Sequence, residues 1–178
     1  MYDCYLHSFH QIAMNLRIIQ IRSNLFLYYT ISYYLRNLNN SVYMYKEKYA
    51  YSLEMKVRDY ECDLQGIVNN ANYQHYMEHA RHEFLESLGE NFGRLHEQGI
   101  DAMVAKITIE YKLPLISGDK FVVGINLKRQ GAKILFLQDI YRLSDGKLCT
   151  KGCVETICVQ NGRLTRGELF DEVFKDYL

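Results

Sequence analysis

Asp63 stands seven residues ahead of Asn70 in the stretch ECDLQGIVNNANYQHYMEHARHEFLESLG, Glu61 to Gly89. The stretch turns at Gly66, crosses an asparagine cluster and enters a helical pattern. A carboxylate just before a helix N-terminus has free backbone N–H groups and the positive end of the helix dipole beside it, which favours its ionised form. Such a site can hold an oxyanion while the carboxylate attacks a carbonyl carbon or takes a proton from water. The same acid also reads as a simple turn or capping aspartate.

Other residues compete for chemical roles. His75, His79 and His82 form a stripe, with gaps of four and three residues, that could ligate a metal. A solvated helix face explains them more simply and no HExxH pattern is present, so no metal is expected. Cys62 lies among Asp59, Glu61 and Asp63, and acidic neighbours suppress a thiolate. Glu78, with Arg81 and His82 three and four residues on, reads as a surface ion pair or as support for the site. The chain lacks GxSxG, P-loop and GxGxxG patterns, leaving serine hydrolase, NTPase and dinucleotide chemistry without support.

The elements that must position Asp63 can be read from periodicity. Tyr73, Tyr76, Met77, Ala80, Phe84, Leu85 and Leu88 recur at helical spacing, with Asn69, Asn70 and Asn72 as N-cap candidates and Gly89 as the stop. Tyr51 to Arg58 alternates as a half-buried strand. Asn91 to Gln98 reads as a short helix. Strands follow over 101–112, 120–129, 133–143 and 148–159, separated by turns at 117–119, 130–131 and 144–147, with a hairpin signal at 160–163. A closing helix from Glu168 to Tyr177 carries Leu169, Val173, Phe174 and Tyr177 as its apolar stripe.

The composition is that of an ordinary globular chain: 178 residues, 48% hydrophobic, formal net charge zero. No basic field points to nucleic acid. Five cysteines without CxxC spacing read as thiols in a reducing compartment, with the cytoplasm as default. Residues 1–43 differ from the rest, with no lysine and one acid, Asp3. Their longest uncharged run, Ser23 to Leu35, has 13 residues, short of the roughly 20 that cross a bilayer, so no membrane span is expected. One reading leaves this segment outside the working domain, 44–178. The other makes it an added helix docking on a partner or membrane surface through Arg17, Arg22 and Arg36.

The pattern acid–x–x–Gly–Ile–Val from Asp63 to Val68, then Asn72-Tyr73, then Glu78 and Arg81, resembles the hotdog-fold acyl-CoA thioesterases of the 4-hydroxybenzoyl-CoA thioesterase family and their Tol–Pal-associated relatives. The resemblance covers roughly Tyr51 to the C-terminus. It implies an α+β hotdog fold, an antiparallel sheet wrapped around one long central helix. It also implies hydrolysis of an acyl-CoA to free acid and coenzyme A without a cofactor. Asp63 falls on the family's catalytic aspartate, and Asn70 where its backbone N–H binds the thioester oxygen. Gly66 would allow the backbone to approach the ligand, or serve as a turn glycine. Val68, Asn72, Tyr73 and Glu78 would contact substrate, although Tyr73 and Tyr76 also read as helix packing. Lys128, Arg129 and Lys133 would meet coenzyme A phosphates or remain turn-flanking charges. The resemblance further implies a homodimer, or two dimers paired as a tetramer, with each site at a subunit boundary. Hydrolysis of acyl-carrier-protein thioesters and non-catalytic acyl binding are the alternatives.

Overall fold

The computed structural model describes Tyr45 and residues 47–178. The expectations for residues 1–43 and for Cys4 lie outside the described residues. Six strands form one antiparallel sheet: β1 Tyr51–Lys56, β2 Ile100–Tyr111, β3 Lys120–Gln130, β4 Lys133–Arg142, β5 Leu148–Gln160 and β6 Arg163–Leu164. The helices α1 Asn70–Ser87, α2 Phe92–Glu97 and α3 Glu168–Val173 accompany them. The strand order is β1-β3-β4-β5-β2, with β6 on β5. One strand, a long helix and then a meandering sheet is the hotdog arrangement, as expected.

The long helix is where its apolar spacing put it. Asn69 is the N-cap, its side chain accepting from Ala71 N–H at 3.0 Å. At the other end Gly89, φ +80°, donates to Glu86 O, and Glu90 N–H donates to Leu85 O. That pair of bonds closes the helix as glycine in the left-handed region does. Tyr73, Tyr76, Met77, Ala80, Phe84 and Leu85 are buried against the sheet. Phe84 touches three aromatic rings, with centroids 5.0 Å from Tyr51, 5.6 Å from Phe174 and 5.2 Å from Tyr177.

Two glycines let layers approach the sheet. A Cβ on Gly152 of β5 would lie 2.6 Å from Met77 Sδ, so the glycine leaves room for the Met77 thioether to pack on β5. On the opposite face a Cβ on Gly124 of β3 would lie 2.5 Å from the Tyr49 ring. Asn161 and Gly162, both with positive φ, make the tight β5–β6 turn foreseen from the Asn-Gly pair.

Two boundaries move by more than one residue. β1 ends at Lys56, not Arg58, because Asp59–Glu61 winds into a 3-10 turn. The closing helix ends at Val173, and its fully buried residues are Phe170 and the following Phe174, with Leu169 and Val173 only partly covered. No helix among the described residues is long and apolar enough to cross a membrane.

Candidate active site

Asp63 opens a tight turn. Its backbone O accepts from Gly66 N–H at 3.0 Å, its N–H donates to Ile67 O at 2.9 Å, and its Oδ1 accepts from Gln65 N–H at 2.8 Å. Gly66 has φ +77° and open space around the position of a Cβ, so backbone conformation accounts for the glycine. Val68 N–H donates to Leu115 O at 2.9 Å, and Tyr73 Oη accepts from Leu115 N–H at 2.9 Å, which fixes the loop against the first turn of α1.

The carboxylate therefore stands beside a helix N-terminus. Among the described residues nothing accepts a hydrogen bond from the Asn70 N–H, while Asn69 occupies the Ala71 N–H. Asp63, Val68, Asn70 and Tyr73 line one cleft of about 350 Å³, with Tyr111 and Leu113 across from them. Tyr111 Oη donates to Asn70 O at 3.1 Å, and its ring meets Tyr73 edge-on at 5.4 Å. The arrangement supplies a proton acceptor, an unspent N–H donor and an aromatic wall.

Glu61 was not singled out in the sequence, yet it ties the loop to α1. Its carboxylate accepts from Arg58 N–H and from Tyr76 Oη, both at 2.7 Å. Its backbone O accepts from Asn69 N–H and from the Asn72 side chain. Asn72 thus serves loop geometry and lies away from the Asp63 cleft. Burial, followed by the bond to Glu61, pushes the Tyr76 phenol far above its ordinary pKa. Replacing Glu61 by Ala leaves a buried hydroxyl without its acceptor and is expected to cost about 1–3 kcal/mol in urea unfolding. Glu61→Gln keeps an acceptor and should lose much less; equal losses would deny the carboxyl this role. A larger cleft of about 950 Å³ lies beside Glu61, lined by Lys56, Arg58, His75 and His79, and it does not contain Asp63.

Glu78 and Arg81 part company. Glu78 is exposed, whereas Arg81 turns inward and donates to Gln138 Oε1 at 2.8 Å. Both line a third cleft of about 210 Å³ away from Asp63, so the surface ion pair read from their spacing does not form. Burial lowers the Arg81 guanidinium to a pKa of about 10, with nearby Glu78 opposing that shift. A charged residue four after Met77 and three before Phe84 sits within the apolar stripe, and that was the available signal. His75 and His79 face the larger cleft and His82 the small one, so the stripe does not converge.

The basic trio also disperses. Arg129 bonds Asp171 at 2.7 Å and donates to the carbonyls of Gly131, Lys133, Arg166 and Gly167, pinning α3 to the β3–β4 turn. Its donors are spent on the chain itself, which removes it from phosphate binding. Lys133 pairs with Glu155 at 2.7 Å. Lys128 is exposed and is the one member of the trio for which no ion pair forms among the described residues. Cys62, Cys149, Cys153 and Cys158 are free thiols.

Residues 57–178 match the family model of the thioesterase-like superfamily. Over 94 residues the chain is 44% identical to a chloroplastic acyl-acyl carrier protein thioesterase of Arabidopsis thaliana, covering 52% of this chain and 50% of that protein. Over 107 residues it is 35% identical to a putative acyl-CoA thioesterase of Bacillus subtilis, covering 60% of this chain and 77% of that one. A crystal structure of a hypothetical protein from Aquifex aeolicus superposes with a TM-score of 0.64 at 30% identity, over 69% of this chain and 98% of that chain. The chain spans about half the length of the Arabidopsis relatives it matches.

Proposed function

Since the chain belongs to the thioesterase-like superfamily, we propose that it hydrolyses the thioester of an acyl-CoA to free acid and coenzyme A. The observation that carries this reading is the shared cleft, lined by Asp63 and by Asn70 at the helix N-terminus, whose N–H is unpaired among the described residues. Water adds to the thioester carbonyl carbon as Asp63 takes its proton. The carbonyl oxygen, now an oxyanion, is held by the Asn70 N–H and the helix dipole. Collapse of the tetrahedral adduct expels the thiolate, which recovers the proton. Direct attack by the Asp63 carboxylate, followed by hydrolysis of the anhydride, uses the same atoms. Protons and electrons balance with water alone, so the reaction calls for no metal or redox group.

Two features support a second copy of the chain completing the site. β2 is a free edge of twelve residues carrying exposed Met103, Val104 and Tyr111, and Leu64 beside Asp63 is fully exposed. In an antiparallel pairing of two β2 strands, the Tyr111 end of one, which lines the Asp63 cleft, would lie near the Asp101 to Val104 end of the other, which lines the small Arg81 cleft. The assembly is a homodimer, or two such dimers paired. Met103→Lys, which places a charge on the edge, should yield monomers by light scattering and abolish thiol release; monomers with full activity would sink the shared site.

Thiol release from acetyl-, benzoyl-, hexanoyl- and palmitoyl-CoA tests the activity. Release from any of them supports the reading, and none from the whole panel overturns it. Acyl-carrier-protein thioesters are the second reading, favoured by the identity to the Arabidopsis relatives. Release from acyl-carrier protein with none from coenzyme A would establish it. Coenzyme A substrates and the four free thiols among the described residues both suit a reducing cytoplasm.

A further inference from the structure

We propose that the small cavity holding Arg81 and Thr156 binds a carboxylate, and that this carboxylate is the far end of the acyl group. The inference rests on the thioesterase reading for the identity of the ligand, but the site stands on its own geometry. Arg81 and Thr156 are both more than nine-tenths buried and line the same cavity of about 210 Å³ with Phe136. Among the described residues the Thr156 hydroxyl has no hydrogen-bond partner. Among the described residues Arg81 makes one hydrogen bond, to the neutral Gln138 amide, and no carboxylate reaches it.

Buried charges in proteins are paired, and a guanidinium presents a fork of five N–H donors matched to a carboxylate. Gln138 is itself fixed, donating from Nε2 to Met77 O at 2.9 Å, so it orients the guanidinium without neutralising it. The Phe136 ring lies 5.9 Å from the guanidinium carbon and gives the cavity an apolar wall. The unspent guanidinium N–H groups are donors and the Thr156 hydroxyl can donate beside them, so a ligand that accepts and carries negative charge fits. Glu78 and Asp101 stand at the more solvated rim, and Asp101 is bonded to His96 at 2.7 Å. Thr156 pairs across the sheet with Val104 of β2, which brings the cavity to the free edge where a second copy would dock. A thioester of a dicarboxylic acid would then react at Asp63 and be recognised at Arg81.

Calorimetric titration of the full chain with adipate and its neutral diamide, adipamide, tests the site without any turnover. Adipate should bind at least about tenfold more tightly than adipamide. Thr156→Val, which keeps shape and removes the hydroxyl, should weaken adipate by about fivefold. Glu78→Gln should strengthen it by removing a like charge from the rim. Equal affinity for adipate and adipamide, or no adipate binding by folded protein, overturns the proposal. Thiol release from adipoyl-CoA and hexanoyl-CoA then tests the link to the acyl group. Preference for hexanoyl-CoA overturns that link. Adipate binding with no release from adipoyl-CoA or from any member of the acyl-CoA panel upholds the site and overturns the thioesterase reading instead.

Discussion

Asp63→Asn lowers kcat for thiol release by about 10²- to 10⁴-fold, the contribution of a positioned general base. Asparagine keeps an oxygen that can accept from Gln65 N–H, the bond Asp63 Oδ1 makes in the turn, so the loop retains its shape. What it loses is the ability to take a proton from water or to attack a carbonyl carbon. The Asn70 N–H is untouched, and KM should move far less than kcat. Thiol release at saturating acyl-CoA, beside a thermal melt showing an unchanged fold, makes the measurement. Undiminished activity would remove Asp63 from the chemistry and direct attention to Glu78.

Phe84→Ala costs about 3–5 kcal/mol of folding stability, as other large aromatic deletions in packed cores do. Phe84 is almost wholly buried and holds together parts of the chain distant in sequence, stacking on Tyr51 of β1 and meeting Phe174 and Tyr177 at the C-terminus. Truncation leaves a cavity between a helix and a sheet, and neither can relax far into it. Urea unfolding monitored by circular dichroism gives the difference. A loss below about 1 kcal/mol would mean that the aromatic cluster collapses around the gap and that α1 is anchored elsewhere. Phe84→Leu should recover more than half of the loss, since shape rather than ring chemistry carries most of it.

Periodicity made α1 legible, because a stripe at helical spacing bounded by Asn69 and Gly89 has one physical solution. The β-strands and their turns were equally open to reading, since Asn161-Gly162 and Asp145-Gly146 supply the backbone conformations that hairpins require. The neighbourhood of Asp63 was legible for a local reason: seven residues separate it from Asn70, and the loop closes on itself. Glu61 was not, because its bond to Tyr76 joins positions fifteen apart through a 3-10 turn that no pattern announces. Arg81 and Arg129 were misread for the opposite reason. Their sequence neighbours offered plausible surface roles, and only the fold shows Gln138 and the α3 carbonyls arriving from distant segments.

The contact between Met77 and Gly152 acts as a bulkhead. Asn70, Met77 and Arg81 follow one face of α1 over about three turns, and at Met77 the helix rests directly on β5. Beneath a single helix the Asp63 compartment and the Arg81 compartment are therefore walled off from each other. In the proposed homodimer a molecule occupying both would cross from one chain to the other, and its length would be gauged by how two copies are spaced instead of by a tunnel bored through one. Drift in the docking of β2 against β2 would then re-tune acyl length while every residue around Asp63 stays the same.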